Sequence, residues 1–268
     1  MKKSLEAIIR PMTRTDFLSH FLSNTPVVSH GQLDDFNELT KLPFFNSLES
    51  LFKSWPTLLT AYRPGIADEG NSQKVSSTEA KEFFNLGSGL CFDDAHDFEP
   101  MLRDWLEVLK ADLGFSELTN SRSLIYAIKK GRGTDPHFDQ NINFVIQISR
   151  TKKWRVASNE HVANPMSRHT MGIDIEPELA SYAKSEMPSS FPDNATEYLL
   201  QPGSVLFVPR GTWHITEAAS DAVSLNFTFT APTWIDILTT ALRGHLAQDI
   251  PHWRAKDILE VTEYVGHE

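Results

Sequence analysis

Between Ser121 and Thr230 the chain consists of short β-favouring runs separated by turn residues, and this feature restricts its fold more than any other. The runs are Ser123 to Ile128, Ile142 to Ile148, Trp154 to Ala157, Tyr198 to Leu200, Val205 to Val208 and Val223 to Thr230. They are too short for ordinary helices and are rich in β-branched and aromatic residues. So many short strands bury a common core only as a sandwich or a barrel. The expectation is a mainly β domain with α additions.

Helices are expected on both sides of this region. Thr13 and Asp16 stand at capping-box spacing, with Asp in place of the usual Glu, and Phe17, Leu18, Phe21 and Leu22 then share one helical face as far as Asn24-Thr25-Pro26. After Glu99-Pro100, Leu102, Trp105, Leu106 and Leu109 repeat at helical spacing up to Gly114. Residues 63–77 mix Pro, Gly, Asp, Glu, Asn and Ser without periodicity and read as a loop. Residues 158–194, rich in Pro, Ser and Met, are either an insertion with some helix around Pro177 to Glu186 or a mobile lid. Beyond Pro232, Trp234, Ile235, Leu238, Leu242 and Leu246 make an apolar helical stripe, and Ile258, Leu259 and Val261 suggest a further helix. Such a stripe suits core cover and a homodimer interface equally well. No repeat or composition break marks a second domain. Residues 1–268 therefore read as one domain: helical and strand cover over 1–120, a β core over 121–231 with 158–194 inserted, and C-terminal helices over 232–268.

A chain of 268 residues with 40% hydrophobic content can bury one large core. Its formal charge of −10 argues against a nucleic-acid partner. Cys91 is the single cysteine, which excludes an internal disulfide framework and suits the reducing cytoplasm. The first ten residues lack the apolar centre of a secretory leader, and no stretch is long and apolar enough to span a bilayer, so a soluble protein with no membrane partner is expected.

The chemistry concentrates in Gly131-Arg132-Gly133-Thr134-Asp135-Pro136-His137-Phe138-Asp139-Gln140-Asn141-Ile142-Asn143-Phe144. In extended chain, side chains two apart project to one side, so His137 and Asp139 can converge on one ion. A third ligand is offered by His214, at the end of the turn, strand and turn of Gln201 to His214. Two histidines and a carboxylate on one face of an octahedron leave three positions open, the arrangement that suits iron(II) and oxygen chemistry; zinc accepts the same donors but favours tetrahedral sites. Asp135, two before His137, competes for the carboxylate role, but it precedes Pro136 in a turn. His20, His30, His96, His161, His169, His245, His252 and His267 lack a ligand-spaced partner, and surface or hydrogen-bonded structural roles are expected for them. Buried strand asparagines such as Asn143 and Asn226 need partners for their amides. Trp213 is expected to shield the site by packing, and Cys91 shows no feature of an activated thiol.

At these residues the chain resembles the JmjC and cupin-like 2-oxoglutarate oxygenases, in particular the branch of the asparaginyl hydroxylase that inhibits the hypoxia-inducible factor and of the bacterial ribosomal-protein hydroxylases. The resemblance runs best from Ser121 to Thr230, with a weaker likeness from Asp16 to Val28. It implies a double-stranded β-helix flanked by N-terminal and C-terminal helices. It implies Fe(II) held by His137, Asp139 and His214, with 2-oxoglutarate and O2 as cosubstrates. Lys152 matches the basic residue that takes the far carboxylate of 2-oxoglutarate, with Arg150 and Lys153 as substitutes. Thr134, Asn143 and Asn226 match other cosubstrate-pocket positions, and Tyr126 is a weaker candidate for that pocket.

The resemblance further implies hydroxylation of a protein or peptide side chain, with release of succinate and CO2. Small molecules and natural-product peptides are alternative substrates, because one scaffold hosts many chemistries. The negative charge suits a basic protein segment. A competing reading is a cupin-type metal protein that does not use 2-oxoglutarate. Such sites show more histidines and a glutamate, where this chain has Asp139 and a lysine of the Lys152 kind.

Overall fold

The computed structural model describes residues 3–31, 36–63 and 72–249. The chain divides into two compact units, up to Thr230 and from Ala231 onward.

The first unit is a double-stranded β-helix of two facing antiparallel sheets. The larger sheet runs β1-β11-β7-β13-β5-β4-β2-β3 and the smaller β10-β8-β12-β6-β9. In chain order the strands are β1 (Val27–Ser29), β2 (Leu59–Tyr62), β3 (Ser72–Val75), β4 (Gly89–Phe92), β5 (Asn120–Ile128), β6 (Gly133–Phe138), β7 (Ile142–Ser149), β8 (Lys152–Ala157), β9 (His169–Thr170), β10 (Thr196–Leu200), β11 (Val205–Val208), β12 (Trp213–Ala218) and β13 (Ala222–Thr230). Period-two alternation sorts their side chains. Ile125, Ala127, Phe144, Ile146, Val205, Phe207, Leu225, Phe227 and Phe229 belong to the main apolar core, while Leu124, Tyr126, Asn143, Asn226 and Thr228 line a cavity.

The main core lies between the larger sheet and the helices α1 (Leu5–Ile9), α2 (Arg14–Leu22), α3 (Pro43–Asn46), α4 (Leu48–Ser54), α5 (Ser77–Asn85) and α6 (Pro100–Asp112). Pro100 opens α6, where its missing N–H costs nothing, and Leu102, Trp105, Leu106 and Leu109 are buried on one stripe. Burial of such side chains contributes roughly 2 kcal/mol each. Trp105 meets Phe227 edge-on at 4.9 Å. Thr13 caps α2 by accepting from the Asp16 N–H, as its spacing predicts, and Phe17 packs on Phe207 with ring centroids 5.0 Å apart. Leu22 departs from the expectation: it is 80% exposed, because α2 ends there and turns it to solvent.

Three further expectations become specific. The N-terminal region does more than cover the β core, since β1 to β4 extend the larger sheet at both edges. The stretch read as a loop contains β3, paired with β2 from Leu59↔Val75 to Tyr62↔Ser72; its residues 64–71 lie outside the described residues. The insertion takes the first of its two readings. It contributes β9 to the smaller sheet beside β6 and forms α7 (Pro177–Tyr182). Its Val162, Leu179, Met171, Ile175, Met187 and Phe191 pack with Phe138 and Trp213 into a satellite core.

The second unit contains α8 (Trp234–Asp249). Thr233 and Asp236 form its capping pair: the Thr233 hydroxyl accepts from the Asp236 N–H at 3.1 Å, and the Asp236 carboxylate accepts from the Thr233 N–H at 2.7 Å. Trp234, Ile235, Leu238 and Leu242 are exposed. The helix suggested by Ile258, Leu259 and Val261 lies outside the described residues.

Candidate metal centre

Strands β6 and β12 run antiparallel with His137 directly opposite His214. The next paired residues are Thr134 and Thr216, three steps along β6 for two along β12. The extra residue is a bulge at Asp135-Pro136, where proline has no N–H to lose from the ladder. The bulge reverses the alternation, so Thr134 and His137 line the cavity together although they stand three positions apart. Thr134 and Thr216 share a hydroxyl hydrogen bond of 3.0 Å, and Thr216 also accepts from the Thr134 N–H at 3.1 Å.

One ligand atom from each of His137, Asp139 and His214 lies within 4.8 Å of the others, the one such cluster among the described residues. The imidazoles are orientated by backbone. His137 Nδ1 donates to the Asp135 carbonyl at 2.6 Å and His214 Nδ1 to the Thr212 carbonyl at 2.9 Å. Both Nε2 atoms are thereby left as lone-pair donors. They face Asp139, at 3.9 Å from Oδ1 for His137 and 3.7 Å from Oδ2 for His214. Burial, helped by the neighbouring His214 and Arg168, pushes His137 well below the usual histidine range; burial also lowers His214, against the opposing pull of Asp139. Neutral imidazoles are what a metal requires.

Asp135, the competing carboxylate, lies outside this cluster and serves His137 through its carbonyl. Arg168, which sequence reasoning did not single out, places Nε 3.3 Å from Asp139 Oδ1. It arrives on the insertion beside β9, and no periodicity marks it. Trp213 packs edge-on against Phe138 at 4.8 Å, in the satellite core behind the two ligand strands. His30, His96 and His161 hydrogen-bond to Ser204, Ser123 and Ser185, and His169 is buried beside Phe138 and Trp213. Cys91 is buried, and burial followed by the nearby Asp93 raises its thiol well above the ordinary value, which leaves it unactivated.

The triad opens into a cavity of about 890 Å³ whose lining includes Tyr126, Thr134, Asn143, Lys152, Trp154, Thr216, Asn226 and Thr228. Lys152 is 4% exposed. Among the described residues no carboxylate pairs with its ammonium, and its ring neighbour is Trp154, with Nζ 5.1 Å from the centroid. Burial pushes its pKa down to about 8. Of the alternatives, Lys153 also lines the cavity but has its charge met by Glu197 at 3.5 Å, and Arg150, at a turn with φ of 61°, is not among the lining residues. Asn143 Oδ1 accepts from Thr228 Oγ1 at 2.6 Å, whereas Asn226 Oδ1 is buried with no hydrogen-bond partner among the described residues. Burial, followed by the neighbouring Cys91, Tyr62 and Asp139, raises the Tyr126 hydroxyl well above its ordinary value. An unbalanced ammonium beside three metal-type donors fits a metal ion with a small dianion.

Residues 107–237 match the JmjC domain. Over 251 residues the chain is 34% identical to the uncharacterized protein YxbC of Bacillus subtilis, covering 91% of this chain and 76% of that one. The chain belongs to the JmjC family. It is 20% identical to the bifunctional lysine-specific demethylase and histidyl-hydroxylase NO66 of Drosophila mojavensis, over 94% of this chain but 28% of that protein. Among solved structures it resembles YcfD, a ribosomal oxygenase from Escherichia coli, in complex with cobalt and 2-oxoglutarate, with a TM-score of 0.59, 17% identity and coverage of 90% of this chain and 57% of that chain. The JmjC chain thus spans most of YxbC, about half of YcfD and a quarter of NO66.

Proposed function

We propose that this JmjC protein is an Fe(II)- and 2-oxoglutarate-dependent oxygenase that hydroxylates a protein or peptide side chain and releases succinate and CO2. The observation that carries the reading is Lys152, a buried ammonium without a counter-ion among the described residues, in the cavity that holds His137, Asp139 and His214. A lone buried charge is costly unless a ligand neutralises it. A metal protein of the cupin type that worked without a dicarboxylate would have no use for that cost.

In this reading His137, Asp139 and His214 hold the metal, Lys152 takes the far carboxylate, and Thr134, Asn143, Asn226 and Tyr126 complete the cosubstrate pocket. When bound, iron(II) and 2-oxoglutarate together supply the activation of O2, chemistry that no side chain provides. The protein keeps both imidazoles neutral, fixes their ring planes through backbone carbonyls and holds the lysine charge at a set depth. A side-chain substrate is supported by the relatives whose names describe a histidyl-hydroxylase and ribosomal oxygenases. We also infer self-association through α8, from its exposed apolar side chains, and a cytoplasmic location, from the single free cysteine. Among the described residues no helix is long and apolar enough to cross a membrane.

The test is succinate formation by purified protein supplied with iron(II), ascorbate, 2-oxoglutarate and air. Iron-dependent succinate that disappears in His137→Ala is expected. Absence of both succinate and 2-oxoglutarate binding would return the protein to the class of cupins without this cosubstrate.

A further inference from the structure

β9 is only two residues long, yet its register decides what faces Asp139. Thr170 pairs with His137 and His169 with Phe138, and the Met171 N–H donates to the Pro136 carbonyl at 2.8 Å. The same antiparallel step carries Arg168 to Asp139, and its Nε lies 3.3 Å from Oδ1. The two side chains are 16% and 21% exposed, so the pair is shielded far better than a surface ion pair. Chain on either side holds the arginine in place. Before it, the Met166 N–H donates to the Tyr182 hydroxyl at 2.9 Å; after it, Met171 and Ile175 pack in the satellite core with Phe138 and Trp213. The backbone of Asp139 is fixed as well, its carbonyl accepting from the Gly211 N–H at 2.8 Å. Pro165 of the insertion lies directly over Gly211, where an added Cβ would come within 2.7 Å of the proline Cδ.

The two carboxylate oxygens therefore have different neighbours. Oδ1 faces the Arg168 guanidinium and, at 3.9 Å, His137 Nε2; Oδ2 faces His214 Nε2 at 3.7 Å. Two imidazoles and one carboxylate oxygen on one face of an octahedron leave three positions open, and a second oxygen from the same carboxylate would take one of them. Resting on the function proposed above, we infer that Arg168 is a positioning residue: it engages Asp139 Oδ1, limits the carboxylate to one bond with the metal through Oδ2, and so keeps a coordination position open for the cosubstrate. A guanidinium mounted rigidly against Oδ1 competes with a metal ion for that oxygen, by its charge and by filling the space beside it. The insertion thereby belongs to the metal centre, because β9 is what brings the arginine to the ligand.

Methionine at this position keeps length and loses the charge; lysine keeps a cation on a chain of similar reach. Wild type, Arg168→Met and Arg168→Lys are loaded with Mn(II), and metal-bound water is counted from the relaxation that the ion imparts to solvent protons. Each protein is also saturated with Co(II), in place of iron, and titrated with 2-oxoglutarate by calorimetry without O2. Circular dichroism establishes that each variant is folded. The expected result for Arg168→Met is one metal-bound water fewer than in wild type and a dissociation constant for 2-oxoglutarate raised about tenfold, the lower end of what partners of metal ligands contribute. Arg168→Lys keeps the wild-type water count. Mere loosening of the insertion would admit water to the metal and so would not lower the count. If folded Arg168→Met keeps the wild-type number of waters and binds 2-oxoglutarate as wild type does, the inference is overturned while the proposed function stands. If wild type itself binds neither metal nor 2-oxoglutarate, the proposed function fails and this inference with it.

Discussion

Lys152 shows at the scale of one residue how a site is held at the expense of stability. Its pKa falls from 10.5 to about 8 on folding, through burial. The folded state thus binds the lysine proton more weakly than the unfolded chain does, so ligand-free stability is lowest below pH 8 and rises between pH 8 and 10.5. A shift of this size corresponds to about 3 kcal/mol at neutral pH. Lys152→Met in ligand-free protein is therefore expected to gain stability of that order in urea unfolding at pH 7, and to lose 2-oxoglutarate binding. An unchanged or lowered midpoint would mean that the ammonium has a counter-charge when no ligand is bound. The same shift sets the pH dependence of binding. A dianion needs the ammonium, so affinity for 2-oxoglutarate should fall about tenfold per pH unit above pH 8. Lys152→Arg, charged throughout, should give a flat profile if it binds at all; calorimetry between pH 7 and 10 decides.

At the scale of elements, β6 is the strand that sequence reasoning found hardest to place. Gly133, Asp135, Pro136 and His137 lack β-propensity because the strand serves the site and bulges where Pro136 falls. The spacing of His137 and Asp139 was legible from period two alone. The position of Thr134 was not, since alternation without the bulge would turn it to the opposite face, and only its likeness to a family pattern drew attention to it. Arg168 and β9 were invisible for a related reason: a two-residue strand in a loop-like insertion has no period. Where β6 meets β12 the backbones are so close that a Cβ on Gly133 would lie 1.6 Å from the Thr216 carbonyl oxygen. That approach holds Thr216 against Thr134 and lets both share one hydrogen-bonded pair. Gly133→Ala should therefore cost roughly 3 kcal/mol or more, beyond ordinary overpacking, because backbone has to move. Thermal unfolding is the check, and a variant as stable as wild type would show that β6 can shift without loss.

For the whole molecule, the β runs from Ser121 to Thr230 revealed the architecture because alternation there is imposed by two different environments, an aromatic core on one face and a cavity on the other. The N-terminal strands were expected as cover but could not be placed, because they are only three or four residues long and lie at or near the edges of the sheet. The C-terminal stripe was legible as a helix, but periodicity does not reveal what an apolar face meets. In α8, Trp234, Ile235, Leu238 and Leu242 are 77%, 54%, 62% and 57% exposed. Such side chains grouped on one helix are far more apolar than a solvated surface requires. A second copy of the chain offers the same stripe, and pairing two of them removes both from water. Sedimentation equilibrium is accordingly expected to show wild type above the 30.3 kDa of one chain and Leu238→Glu/Leu242→Glu at that mass. Wild type at the monomer mass at all concentrations would remove self-association from the reading of α8. The carboxylates of the double variant should leave Co(II) and 2-oxoglutarate binding intact, because every proposed ligand residue lies before Thr230 in the first unit. Loss of binding on dissociation would instead make assembly a condition of the site.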